Sequence, residues 1–266
     1  MPPRLICFDA GFTLIRPKQT MEERLAEVLL SHGHTARSED VRQAWEAADA
    51  WFWDEYHRSG NTTWTSDERI EETWRSYHHQ MLRGLGLSDA AHELVEAVLD
   101  GQFASDAWEL YPDTLGALRR VHGMDGGHLT EGPSAERRPQ VAIVSDWGSN
   151  LTEIVRSLDL DPWIDFVLAS GAVNLAKPSP EFFLLACERA GVRPAAAVMI
   201  GDSHRADVLG ARSAGMSAVL LDREGVAGDL DPDLPVARDL VTAVELAFRQ
   251  DEAEFARNGP DAGTSN

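Results

Sequence analysis

The sequence predicts an α/β fold, a doubly wound parallel sheet with a helical domain inserted into it, and three observations carry that expectation. A short apolar run, Arg4–Phe8 (RLICF), stands at the start and ends on Asp9. A long stretch then follows with apolar residues at helical spacing and no convincing strand. From Tyr111 onward, short apolar strands alternate with helices, the pattern of a parallel sheet covered on both faces.

In chain order, RLICF reads as a buried strand running into a polar turn at Gly11 and Thr13. Glu22–Ser31 carries Leu25, Val28 and Leu29 at helical spacing, and Val41, Trp45, Ala48, Phe52 and Tyr56 recur at three- and four-residue steps. Gly60–Ser66 reads as a loop, and Asp67–Leu82 and Asp89–Phe103 as further helices. Pro112-Asp113 opens a helix through Val121, with Pro112 near the first turn, where its missing N–H costs little. Residues 123–140, rich in Gly, Pro and charge, form a long surface loop. Because that loop precedes a strand, it is expected at the sheet edge opposite the catalytic strand ends.

Strands are then expected at Val141–Val144, Phe166–Ala169, Ala197–Ile200 and Ser217–Leu221. Helices are expected at Ser149–Leu158, Pro180–Ala190, Asp207–Ala214 and, closing the fold, Val241–Phe248. If the first strand joins the later sheet, residues 1–16 and 108–250 form the α/β core and 17–107 an inserted α-helical domain. Residues 251–266 read as a disordered tail. There are no internal repeats.

Composition narrows the function. With 266 residues and 43% apolar content the chain has ample material for a core. No apolar run approaches the roughly 20 residues needed to span a bilayer. The N-terminal MPPRLICFDAGFTLI is too short in apolar residues for a secretory signal. Cys7 and Cys187 both lie in apolar segments, which points to buried free thiols and a cytoplasmic location. A net charge of -20 argues against nucleic acid and anionic membranes as partners. The expected partner is a small-molecule substrate, with the chain a monomer or homodimer. Of the 24 basic residues only Lys18 and Lys177 are lysine, most simply a codon bias, and a lysine kept against it draws attention.

Asp9, Ser145-Asp146, Lys177-Pro178 and Asp202 all fall at the C-terminal ends of expected core strands, where open parallel sheets place their ligands. Taken singly, each is also what an ordinary turn would show. Together they say more. FDAGFTL, VSDWG, LAKPSPEFF and MIGDSHRADVLGARSAGM, in this order, resemble the four sequence motifs of the haloacid dehalogenase (HAD) superfamily across nearly all of Arg4–Leu221.

That resemblance implies a Rossmann-like core with the first strand central and a four-helix-type cap over it. It implies a Mg²⁺-dependent hydrolase, phosphatase-like, acting on a small phosphorylated metabolite. Asp9 matches the nucleophile that becomes an aspartyl-phosphate. Thr13, Ser145 and Asp146 match the phosphate-binding positions, and Lys177 the cation that stabilises charge on nucleophile and phosphoryl group. Asp9, the Gly11 backbone carbonyl and Asp202 match the metal ligands. Asp207 matches the acid that orients the metal's water shell or Lys177.

Gly11 departs from the pattern, because family phosphatases carry a second aspartate there that protonates the leaving group and activates water. Such acid–base help is worth about 10²–10⁴-fold. Two other readings therefore stand beside the phosphatase: a 2-haloacid dehalogenase-type hydrolase, and a catalytically silent HAD-like binding protein. Retention of Asp202 and Asp207 speaks against the first; retention of Asp9, Lys177 and Asp202 against the second. A phosphonate hydrolase would need a cap lysine, and the cap block contains none after Lys18.

Five tryptophans, Trp45, Trp51, Trp53, Trp64 and Trp74, lie in the helical block. Core packing accounts for Trp45, on the apolar stripe. Trp53, off that stripe, or Trp64 is open to a second reading as a wall of the active-site mouth. His78-His79 and His204 lack ligand spacing and read as solvated surface residues. Arg205, between the two fourth-motif aspartates, reads either as positive charge near the phosphate or as a surface ion pair.

Overall fold

A computed structural model describes residues 2–58, 62–88, 91–125, 128–129, 138–228 and 231–257. Strand β1 (Leu5–Phe8) leads through β2 (Ile15–Pro17) into four helices, α1 (Met21–Ser31), α2 (Ser38–His57), α3 (Asp67–Gly84) and α4 (Ala91–Phe103). Strand β3 (Trp108–Leu110) returns the chain to α5 (Thr114–Val121) and the paired strands β4 (Met124–Asp125) and β5 (His128–Leu129). There follow β6 (Gln140–Ser145), α6 (Leu151–Ser157), β7 (Phe166–Ala169), the short α7 (Ser170–Val173), α8 (Pro180–Ala190) and β8 (Ala197–Gly201). A π-helical segment, His204–Leu209, runs into α9 (Gly210–Ser213), and β9 (Ser217–Leu221), β10 (Val236–Ala237) and α10 (Leu240–Arg257) complete the chain.

The main sheet is six-stranded in the order β10-β9-β8-β1-β6-β7, parallel throughout. The first strand in sequence is thus a central one. Side chains alternate across a strand, so Ile6 and Phe8 pack with Leu118, Ile154 and Val244 on one face of the sheet. Leu5 and Cys7 pack with Phe182, Phe183 and Ala211 on the other. Both faces being covered is why β1 reads as an unbroken apolar run, and burying each such large side chain contributes about 1.5–3 kcal/mol.

The helices between β2 and β3 have an apolar centre of their own, built from Leu25, Leu29, Val41, Phe52, Tyr77, Met81 and Val98. Helix α1 starts where it does because Thr20 and Glu23 form a reciprocal capping box. This block joins the core through the antiparallel ribbon β2–β3, with Ile15 opposite Leu110 and Pro17 opposite Trp108. Across the seam, Asp67 accepts hydrogen bonds from the Ser149 backbone N–H at 2.7 Å and its hydroxyl at 2.5 Å. Asn150 donates to the Phe103 carbonyl at 3.2 Å.

The structure corrects four expectations. The β2–β3 ribbon was not foreseen, since three-residue strands are too short to show a period of two. The 123–140 loop contains the β4–β5 pair; its residues 126–127 and 130–137 lie outside the described set. The closing helix continues to Arg257 rather than giving way to a tail at 251, and residues 258–266 lie outside the described set. His78 is not a surface histidine: it is wholly buried, with Nε2 2.7 Å from Gln102 Oε1.

Candidate active site

Register in the parallel sheet assembles the site. Phe8 lies opposite Ile143 on β6 and Ile200 on β8, so the residues within the next three positions of the three strands emerge together. These are Asp9, Ser145-Asp146 and Asp202, with the Asp9 N–H anchored on the Ile200 carbonyl at 2.9 Å. All sit at the C-terminal edge, where a parallel sheet leaves its crevice.

After Asp9 the chain folds sharply. The Ala10 carbonyl accepts from both Leu14 and Ile15 N–H, and Phe12 N–H donates to the Ile15 carbonyl at 2.7 Å. The turn forces Phe12 to φ 56, a left-handed conformation rare for a bulky side chain, and leaves the residue 57% exposed three positions after Asp9. Thr13 is fully buried, its hydroxyl 3.3 Å from Asp202 Oδ1. Its carbonyl is held by Arg223, which also pairs with Asp113 and stacks 3.9 Å from the Tyr111 ring centroid.

Lys177 reaches Asp9 Oδ1 at 2.6 Å and Asp207 Oδ1 at 2.5 Å, with its side chain almost wholly buried. Burial alone would favour loss of its proton, but the charges of Asp207, Asp9 and Asp146 outweigh burial, and the net shift is strongly upward. The ammonium is therefore a permanent charge. Asp207 fits against Gly201 so closely that a Cβ there would lie 2.2 Å from Asp207 Oδ2. Glycine at 201 is a steric requirement of the Lys177–Asp207 pair.

Carboxylate oxygens of Asp9, Asp202 and Asp207 lie within 4.8 Å of one another. Asp202 opens onto solvent, yet its pKa is pushed up by the protein packed around it and by the Asp9 and Asp207 charges. Burial likewise raises Asp207, with Lys177 opposing. Three crowded hard-oxygen donors, whose mutual repulsion Lys177 offsets only in part, are the donor set that suits a small divalent cation. Among the described residues, the one group of potential metal-ligating side chains is this one, and it includes no histidine.

Sequence-inferred residues thus converge: Lys177 contacts Asp9 and Asp207, Thr13 contacts Asp202, and the three carboxylates lie within 4.8 Å of one another. Ser145 is buried at the end of β6 beside them. Asp146 turns toward the helical block: its Oδ1 accepts the Lys177 backbone N–H at 2.9 Å, and its Oδ2 lies 3.5 Å from the Tyr56 hydroxyl of α2. Arg205 is exposed. Four contributors escaped the sequence reading. Tyr56 was visible only as one member of the α2 apolar stripe. Phe12 and Arg223 carried no local signal. Trp147 stacks edge-on to Trp108 at 4.6 Å, and its ring would lie 3.2 Å from a Cβ at position 11.

A carboxylate paired with a buried lysine, at the C-terminal edge of a doubly wound parallel sheet, is the setting of an α/β hydrolase. The haloacid dehalogenase-like hydrolase family model matches residues 3–215, and the chain belongs to that family.

It is similar to the haloacid dehalogenase-like hydrolase domain-containing protein 3 of Mus musculus, 29% identical over 82% of this chain and 81% of that one. A phosphoserine phosphatase of Thermus thermophilus is 34% identical over 52% of this chain and 49% of its own. Among solved structures, the magnesium-bound HAD-hydrolase YfnB of Bacillus subtilis superposes with a TM-score of 0.70 at 17% identity. That match covers 93% of this chain and 99% of the other.

Proposed function

We propose that this hydrolase is a magnesium-dependent phosphatase that cleaves a small phosphorylated metabolite through an aspartyl-phosphate on Asp9. The observation that carries the reading is the shared grip of Lys177 on Asp9 and Asp207 beside the exposed Asp202 carboxylate. A fixed ammonium holds the nucleophile, and the carboxylates that would hold a cation stand next to it. Asp9, the Gly11 carbonyl and Asp202 would hold the ion, with Asp207 oriented behind them. Bound there, Mg²⁺ supplies Lewis-acid charge to phosphoryl oxygens.

The chain's own residues do the rest. One Asp9 carboxylate oxygen attacks phosphorus while Lys177 fixes the other and offsets the growing negative charge. The Thr13 and Ser145 hydroxyls donate to the phosphoryl oxygens. Water then attacks phosphorus and releases Asp9. Free, buried Cys7 and Cys187 suit a reducing cytoplasm. Among the described residues no helix is long and apolar enough to cross a membrane. A monomer or homodimer completes the proposal.

A panel of phosphate esters and 2-haloacids, each assayed with Mg²⁺ and with chelator, tests it. Metal-dependent phosphate release is expected. Metal-independent halide release would identify a dehalogenase-type hydrolase, and silence on every compound a binding protein.

A further inference from the structure

With glycine at position 11, the site lacks a carboxyl on its first loop, and the space a side chain there would enter is bounded by the Trp147 indole. The residue preceding that tryptophan supplies a carboxyl from the neighbouring strand. Resting on the phosphatase reading, we propose that Asp146 is the general acid and base of this enzyme, held at the seam between core and cap by the Lys177 backbone N–H and the Tyr56 hydroxyl.

Three observations support the assignment. First, Lys177 ties the two carboxylates together: its backbone N–H donates to Asp146 Oδ1 at 2.9 Å and its ammonium to Asp9 at 2.6 Å. Asp146 therefore keeps a fixed relation to the nucleophile. Second, Oδ2 faces the cap, 3.5 Å from the Tyr56 hydroxyl of α2, at the seam between the helical block and the strand ends. Third, the surroundings place its proton in the useful range. Burial, with the Asp9 and Asp207 charges, raises Asp146 to about 7 against the pull of the Lys177 charge and backbone N–H. Tyr56, shifted strongly upward by burial and then by Asp146, stays protonated and able to donate. Tyr56 is a positioning residue, and Asp146 the group that exchanges the proton.

The steps balance. As Asp9 bonds to phosphorus, the ester P–O bond breaks, its electron pair stays on the leaving oxygen, and that oxygen takes the Asp146 proton. The Asp146 carboxylate next takes a proton from water as the water oxygen bonds to phosphorus. The Asp9–phosphorus bond breaks with its pair returning to Asp9, and Asp146 is again protonated.

Phenyl phosphate and 4-nitrophenyl phosphate separate this role from a structural one, because nitrophenolate leaves without a proton and phenolate does not. Asp146→Asn, which keeps an acceptor for the Lys177 N–H, is expected to lower kcat/KM for phenyl phosphate about 10²-fold and for 4-nitrophenyl phosphate less than about tenfold. For phenyl phosphate, the wild-type to variant ratio should decline as pH rises through about 7. Tyr56→Phe should move that decline to higher pH, since it removes a donor that favours the charged carboxylate.

Equal losses on both esters, or a ratio flat in pH, would overturn the assignment. So would an unchanged rate. If Asp146→Asn does not fold, as judged by its melting curve, the wild-type and Tyr56→Phe profiles decide alone, and superimposable profiles overturn it. Wild-type enzyme that releases no phosphate from either ester with Mg²⁺ overturns the phosphatase reading and this inference with it.

Discussion

Core and cap each have a well-formed apolar centre, but they use polar groups in opposite ways. In the core, the buried charges at the strand ends are paired: Lys177 with Asp9 and Asp207. In the cap, among the described residues, a buried histidine stands without a counter-charge. His78 is fully buried with Nδ1 unpartnered, stacked on Trp74 at 6.2 Å among Phe52, Tyr77 and Trp64. A buried ion pair is weak evidence for stability but strong evidence for a fixed charge, and removing one partner is costly. The core thus gives up stability to hold charges where chemistry needs them, and the cap supplies an aromatic lid whose residues reach the site singly, as Tyr56 does.

The largest effect that would break this contrast is expected at the ion pair. Lys177→Met leaves two carboxylates facing each other without a counter-charge. It should cost about 3 kcal/mol of stability and lower kcat about 10²–10³-fold, measured by denaturant unfolding and steady-state assay. A fully active variant would show that the ammonium has no catalytic role.

The cap's own weakness should appear in pH. Burial lowers His78 from 6.5 to about 4, so below pH 6.5 the unfolded chain binds a proton that the folded cap refuses. Stability contributed by His78 is whole above pH 6.5 and is lost as pH falls toward 4, by about 3 kcal/mol in all. Melting temperatures across this range should fall less steeply in His78→Gln than in the wild type; parallel slopes would remove His78 as the cause.

Smaller still is the effect expected at Gly11. Restoring the aspartate of related phosphatases places a Cβ 3.2 Å from the Trp147 ring, so the neighbour must yield. Gly11→Asp alone should give no gain in kcat on alkyl phosphates, whereas adding Trp147→Ala should recover part of any loss. A clear acceleration by Gly11→Asp alone would show the space to be free.

Least of all should be Trp53→Ala. Trp53 is 46% exposed and donates to Asp49 at 3.1 Å. If it walls the mouth, KM should rise for the true substrate and stay put for a small generic phosphate ester; equal effects on both would assign it to cap structure.

The same contrast explains what could be read from the chain. Asp9 and Asp202 were legible because each follows a strand whose apolar run marks its end, whereas Lys177, beyond α7, and Asp207, inside the His204–Leu209 segment, were legible through the motifs they share with the family. The parallel, doubly covered sheet was likewise implicit in the alternation after Tyr111, whereas the central place of the first strand was implied by the family resemblance alone. Cap residues were legible only as stripe members. His78 lies eight residues after Ile70 and three before Met81, both buried, so the stripe placed it inside, but its polarity suggested the surface. Tyr56, Trp147 and Phe12 owe their positions to the packing of α2 across the seam, to the β6 exit and to a strained turn. None of these leaves a periodic trace.

Asp9→Asn tests the central claim most directly, because it keeps the shape of the side chain and removes the carboxylate that would attack. Wild type and variant would be compared for Mg²⁺-dependent phosphate release and for melting temperature. The account predicts complete loss of turnover in a variant that still melts cooperatively as a folded protein. Continued turnover by a folded Asp9→Asn enzyme would contradict covalent catalysis at Asp9.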